Sequence, residues 1–277
     1  QAVQSMVEFE LERHFSSGLD DLYYTYQLNQ KPGNIFHIAS AAIKKETANY
    51  YLELIQKLNL TPTVLDISTF ANSNLALLQE SKDSTVTALI DISPRALEIV
   101  LIKKGVLEFS RNRTWENTDI KDTYSGKDTS SERLDSLSVS TTKLIISELE
   151  QALSSCRNIE ENETIEHIFI SGGGTLAPRV IKQLEKETQV STQLISIPNS
   201  VSPALPESFS TYHMMTALSL AIRDSRKQSF ETNLLPQSLR PKRRKTNPKT
   251  SLALAATLVL CLVGWVGSQI HYNNKTL

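Results

Sequence analysis

Three short stretches of this 277-residue chain carry residue types suited to chemistry or recognition. Asp91-Ile92-Ser93-Pro94-Arg95 lies between two apolar runs. A carboxylate at such a turn can hold a hydrated metal ion while the turn's amides approach phosphate oxygens. An ordinary hairpin loop is the simpler reading, because no glycine occupies the turn and Pro94 has no N–H to offer. Ser171-Gly172-Gly173-Gly174 follows an apolar strand and precedes a helical pattern. Backbone without side chains can pack against a purine or phosphate, and a helix N-terminus favours negative charge. A strand-to-helix connection needs flexible residues for geometry alone, so the triplet is a weak signal. Glu231-Thr232-Asn233-Leu234-Leu235-Pro236 is an apolar patch too short for a core element, and Pro236 disfavours a helix. It reads as plain linker or as a peptide that docks in a groove, and composition favours the linker. No catalytic constellation accompanies them. His14, His37, His167, His213 and His271 are scattered without metal-ligand spacing, and no G-x-S-x-G elbow occurs.

The elements that must position these stretches alternate between strand and helix. The spacing predicts strands over 23–28 and 35–40 around Pro32-Gly33, then a helix over 43–58 with apolar residues on one face. A short strand is expected near 63–66. Residues 85–92, 96–103 and 106–111 read as a three-stranded meander whose turn contains Lys104-Gly105. A polar loop over 112–131 leads to a long amphipathic helix over 134–153. A strand over 167–171, a helix starting near Pro178, a strand over 193–197 and a helix over 212–223 complete the body. This is an α/β order with meanders as well as crossovers, which argues against a simple doubly wound sheet.

Residues 251–270 are uncharged and follow a basic cluster, Arg240, Lys242, Arg243, Arg244, Lys245 and Lys249. As a helix they would span roughly 30 Å, the hydrocarbon thickness of a bilayer, so they are expected to form a transmembrane helix. The cluster places the preceding part in the cytoplasm by the positive-inside rule and suits anionic lipid headgroups. All 30 acidic residues precede Arg240, against 22 Lys and Arg, so that part carries −8 and suits no nucleic acid. Cys156 and Cys261 fall in the body and in the span, an arrangement in keeping with a reducing cytoplasm. Gln1 opens on what looks like a helix interior (Val3, Met6, Val7, Leu11), so upstream sequence is expected to be missing.

The order of these parts resembles a known family. The strand-turn-strand at Asp91, the long helix ending near Cys156 and IEHIFISGGGTLAPRVIKQLEKET look like the second half of PilM, the actin-like protein of type IV pilus machines. VEFELERHFSSGLDDLYYTYQL and NIFHIASAAIKKETANYYLELIQKLNLTPTVLDISTFA are similar to that family's inserted subdomain. ETNLLPQSLRPKRRK with the span resembles the start of PilN, and the joined layout is that of GspL of type II secretion systems.

The resemblance implies an α/β, actin/FtsA-like (ribonuclease H-like), two-lobed cytoplasmic body followed by a single transmembrane helix. Its divisions would be an inserted subdomain and end of the first lobe over 1–70, a second lobe over 71–230, a docking motif and basic linker over 231–250, the span over 251–270 and the start of a periplasmic part over 271–277. It implies a non-enzymatic inner-membrane scaffold. That scaffold would link a cytoplasmic secretion or pilus ATPase to GspM-like or PilN/PilO-like bitopic proteins, with membrane lipids as a further partner and a homodimer compatible with the layout. Gly172, Gly173 and Gly174 match the family's adenosine-side glycines, and Asp91 matches the acid of its second phosphate loop. Asn233, Leu234, Leu235 and Pro236 match the docking peptide, here in cis. The chain departs from the pattern at Ser93, where a glycine is expected, and at Pro94-Arg95-Ala96, where hydroxyl residues are expected. The expectation is therefore no resident cofactor, ATP being what the intact site would take. An actin-like ATPase and a membrane-anchored sensor are the other classes that the layout admits.

Overall fold

The computed structural model describes residues 2–16, 18–31, 35–79, 86–115, 120, 122, 130–156, 159, 163–197, 211–223 and 230–240. The expected span over 251–270 and the cluster beyond Arg240 lie outside these residues. Among the described residues no helix is long and apolar enough to cross a membrane. The chain divides into two compact units, Gln1–Gln237 and Ser238–Leu277; the first contains every element described below.

The first unit opens with α1 (Ala2–His14) and a ten-residue antiparallel hairpin, β1 (Leu22–Lys31) and β2 (Ile35–Lys44). Side chains alternate across a strand, so neighbouring tyrosines reach opposite faces of the hairpin. Tyr24 bonds Glu8 of α1 through its hydroxyl at 2.5 Å, and Tyr23 reaches Asn49 of α2 (Lys45–Lys57) at 3.2 Å. The helix expected from residue 43 thus begins two residues later, after β2 has run on through Lys44.

Residues 58–67 form no strand. They lead into α3 (Ser68–Leu77), a helix that periodicity does not reveal because residues 69–76 are all buried and no polar stripe marks one face. The meander follows as β3 (Val86–Ile92), β4 (Ala96–Lys103) and β5 (Val106–Thr114). Lys104 and Gly105 both have positive φ, 51° and 75°, the geometry of a tight two-residue hairpin turn. β5 extends to Thr114, three residues into the expected polar loop.

Helix α4 (Ser131–Ser155) starts at Ser130, whose side chain accepts the Arg133 N–H at 3.4 Å. Strand β6 (His167–Gly172), helix α5 (Ala177–Thr188), strand β7 (Ser191–Leu194) and helix α6 (Thr211–Ala221) complete the order. β3 to β7 make one mixed sheet in the order β5-β4-β3-β6-β7, with β6 parallel to both β3 and β7.

Alternation gives the sheet two cores. Ala88, Ile90, Leu97, Ile99 and Ile170 face α4 and α5, which contribute Ile145, Leu149, Val180 and Leu184. Leu89, Val100, Ile102 and Phe169 face α3 and α6, which contribute Leu75, Met215 and Leu218. On α4 the buried Glu148 is held by Arg111 and Arg113 of β5, so its charge is paired where water is scarce. A third cluster joins hairpin residues Ala39 and Ala41 to Phe70 of α3 and to Phe230 and Leu234.

Candidate functional site

Parallel pairing of β3 with β6 brings together two of the three stretches. Asp91 stands opposite Ser171 and Ile92 opposite Gly172, although some 80 residues separate the strands in sequence. The Gly173 N–H donates to the Ile92 carbonyl at 2.8 Å, which fastens the glycine turn to the end of β3. Gly172, Gly173 and Gly174 have φ of 74°, 81° and 52°, a left-handed run that side chains disfavour. A Cβ on Gly173 would also lie 2.9 Å from the Ala177 Cβ, so this glycine is needed for close packing of strand on helix.

The second acid at this site is Glu98, which the sequence reading passed over. It is the Cα partner of Asp91 across β3 and β4, on the face occupied further along by Leu89, Val100 and Ile102. Its carboxylate accepts from the Thr69 hydroxyl and, at 3.4 Å, from the Ser68 hydroxyl at the start of α3. Burial pushes the Glu98 carboxyl above its ordinary value, against those hydroxyl bonds. Burial likewise raises Asp91 to about 6; the Ser171 hydroxyl works against the rise and the Glu98 charge adds to it. A carboxylate inside the otherwise apolar run ALEIVLI was the signal available for Glu98.

This arrangement does not fit nucleotide phosphates. A phosphate loop needs backbone N–H groups aimed at the ligand. Here the Ser93 N–H donates to the Ala96 carbonyl at 2.9 Å. The Arg95 and Ala96 N–H groups donate to Ser93 Oγ at 3.4 and 3.0 Å. Pro94 has none. Trp115 closes the far side, with its indole N–H on the Ser93 carbonyl at 3.1 Å. The turn thus satisfies its own amides, and the two carboxylates behind it would repel a phosphate. Among the described residues no group of three His, Cys, Asp or Glu could hold a metal ion.

The third stretch lies in a groove of the body. The Leu234 N–H donates to the Leu65 carbonyl at 2.8 Å, and the Leu65 N–H donates to Asn233 Oδ1 at 3.1 Å, so the Asn233 side chain stands in for a backbone carbonyl. The same oxygen accepts the Leu235 N–H at 2.9 Å, and Asn233 Nδ2 donates to the Thr63 carbonyl at 3.2 Å. Leu234 and Leu235 are 3% and 1% exposed. Phe230 stacks on Phe70 with ring centroids 5.4 Å apart, and its backbone is clamped by Asn74, which accepts the Phe230 N–H and donates to the Phe230 carbonyl at 2.9 Å each. The Glu231 N–H reaches Gln27 of β1 at 2.8 Å.

Buried Asp66 is the charged anchor of this contact. It is ion-paired with Arg223 and accepts the Thr232 hydroxyl at 2.9 Å, while Arg223 also donates to the Thr232 carbonyl. Residues 230–236 therefore form a strap across the hairpin, α3 and the segment after α6.

A family model described as type IV pilus assembly protein PilM matches residues 1–225. The chain belongs to this family. A solved structure of a "PilM-PilN type IV pilus biogenesis complex" superposes with a TM-score of 0.62 at 18% identity, covering 82% of this chain and 73% of that one. At that identity the likeness shows the fold alone, the mixed α/β sheet described above. More distant are a Bacteroides thetaiotaomicron protein with an actin-like ATPase fold (TM-score 0.34, 11% identity, 71% of this chain and 59% of that one) and an AlfA filament bound to AMPPNP (0.31, 14%, 56% and 42%). No curated protein sequence matches the chain.

Proposed function

We propose that this chain is a non-enzymatic inner-membrane scaffold of a type IV pilus, or of the type II secretion system built on the same pattern. In this reading the body lies in the cytoplasm, residues 251–270 anchor it and the C-terminus is periplasmic. Its partners are the cytoplasmic assembly ATPase on one side and PilN/PilO-like or GspM-like bitopic proteins on the other.

The observation that carries this reading is the strap. A peptide seated at residues 230–236, immediately before the basic cluster, ties the body to whatever the following residues enter. A tether this short gives the strap an effective concentration on the order of millimolar, so the groove stays filled by its own chain. A separate partner's N-L-L-P peptide would have to displace it. PilM-like and PilN-like parts then act as one piece, and force on the anchor reaches the body through Asp66, Asn74 and Leu65. The closed Asp91 turn supports a body that works without nucleotide.

The test is in-cell crosslinking of the full membrane-anchored chain, followed by affinity purification and mass spectrometry. Recovery of an assembly ATPase together with small bitopic inner-membrane proteins is expected. Recovery of neither, with the chain intact, would overturn the scaffold reading.

A further inference from the structure

On the side of the sheet that carries α4 and α5, the core ends in an open cavity of about 850 Å³. Ile168 of β6, Val190 beyond α5 and the C-terminal half of α4 line it. On α4, Ile146, Leu149 and Leu153 follow one another at helical spacing and so form one stripe, about 10 Å long. Ile146, Leu153 and Val190 pack on the sheet core but are only half-buried. Apolar surface is thus left uncovered where the core stops, in a cavity of the size that bound ligands and anchoring side chains occupy.

The charge around this cavity has one sign. Among the described residues its lining contains Glu150, Glu163 and Glu187 and no Lys, Arg or His. Glu163 is paired with Lys103 of β4 at 2.5 Å, whereas Glu150 and Glu187 stand exposed at the ends of α4 and α5. Both helices end here, at Ser155 and Thr188, and α4 has no basic residue in its last turn. Helix C-termini carry partial negative charge, which adds to that of the carboxylates.

We propose that this cavity is the docking site for a basic amphipathic helix of a partner protein. The helix lies along the α4 stripe with its aliphatic side chains in the cavity and its Lys or Arg side chains beside Glu150 and Glu187. The charge selects this occupant. A second copy would bring the same carboxylates and helix ends, and an anionic lipid surface would be repelled in the same way. An uncharged ligand would fill the cavity but leave the acidic rim unused. Helix α3, which seats the strap, packs on the opposite face of the sheet, so this surface and the strap are separate.

Photocrosslinking in the full chain in its own cells tests this. p-Benzoylphenylalanine replaces Ser154 or Thr164, both exposed at the cavity, and the crosslinked peptides are sequenced by mass spectrometry. Both positions are expected to map to one segment of another protein, with aliphatic residues three or four apart and Lys or Arg among them. Glu150→Lys with Glu187→Lys should lower that crosslink about fivefold or more, whereas Lys182→Glu, an exposed change on α5 outside the cavity, should leave it unchanged. A synthetic peptide of the mapped segment should bind the purified full chain, with a Kd raised by a similar factor in the charge-reversed variant. Unchanged melting of the variants shows that they are folded. Crosslinks confined to this chain or to lipid, a mapped segment without that pattern, no crosslink from folded chain, or a crosslink indifferent to the charge reversal each overturns the proposal. The scaffold reading is judged by which proteins are recovered and this one by the chemistry of the mapped segment, so either can fail alone.

Discussion

Changing Leu234 and Leu235 to serine should release the strap and leave the body folded. Each leucine is almost fully buried, so the loss is about 2 kcal/mol of apolar transfer apiece. Two unpartnered hydroxyls add about 1 kcal/mol each where the groove does not hydrate them. The docked state has little margin against this. Phe230, Leu234 and Leu235 contribute roughly 7 kcal/mol by burial, and the strap's hydrogen bonds roughly 1 kcal/mol each. Ordering seven residues costs roughly 10 kcal/mol, which leaves a net of a few kcal/mol. Removing 4 to 6 should therefore turn a docked strap into a predominantly free one. The two sheet cores contain neither leucine, so the body has no reason to melt.

Hydrogen exchange in the full chain reads this directly. The amides of Leu65, Phe230, Leu234 and Leu235, each a donor in the strap contact, should lose protection by about two orders of magnitude or more. Amides of β3 and β6 should be unchanged, and chymotrypsin should cut sooner after Phe230, which the docked strap buries. Unchanged protection at Leu65 with unchanged cleavage after Phe230 would refute the reasoning, because the groove would then hold without its apolar anchors.

Three further substitutions probe the neighbouring geometry. Gly173→Ala must place a Cβ in left-handed backbone 2.9 Å from the Ala177 Cβ, and should cost about 2–4 kcal/mol by urea unfolding; Gly105→Ala, equally left-handed but with open space, should cost only about 1 kcal/mol. Asp91 has a folded pKa of about 6 against an ordinary 3.8, so the folded state holds its proton more tightly; the resulting stability is present below about pH 4 and is lost as pH rises through 6. Asp91→Asn should flatten that slope and gain about 2 kcal/mol at pH 7.5 relative to the parent, and an unchanged slope between pH 4 and 6.5 would count against the buried carboxyl. Arg223→Met leaves Asp66 charged and unpaired in a buried site, for a loss of about 3–5 kcal/mol, and Asp66→Asn in the same chain should recover most of it.

What the sequence disclosed followed the distance over which each feature is decided. The meander was legible because alternation and the Lys104-Gly105 turn lie within a few residues of each other. Helix α4 was legible through its stripe at 134, 137, 145 and 149, all of which are buried. Helix α3 was not, because it is buried on every side and so presents no period. Residues 63–66 read as a strand because their composition is extended, yet they pair with nothing nearby. Their hydrogen-bonding partner is a peptide some 170 residues downstream.

The candidate sites divide in the same way. Asp91 and the glycine triplet were readable as separate turns, but their adjacency depends on the parallel β3–β6 pairing, which no local pattern encodes. Composition favoured a plain linker at 231–236, since the patch is too short for a core element and Pro236 disfavours a helix; what makes it an anchored strap is the Leu65 backbone edge, Phe70 and Asn74. Those last two residues belong to the same short helix whose first turn holds Glu98 through Ser68 and Thr69. The helix that periodicity hid is thus the element shared by the closed turn and the strap. A shift of α3 large enough to open the Glu98 contact would also move the Phe70 and Asn74 seat of Phe230, so the two sites cannot be rebuilt independently.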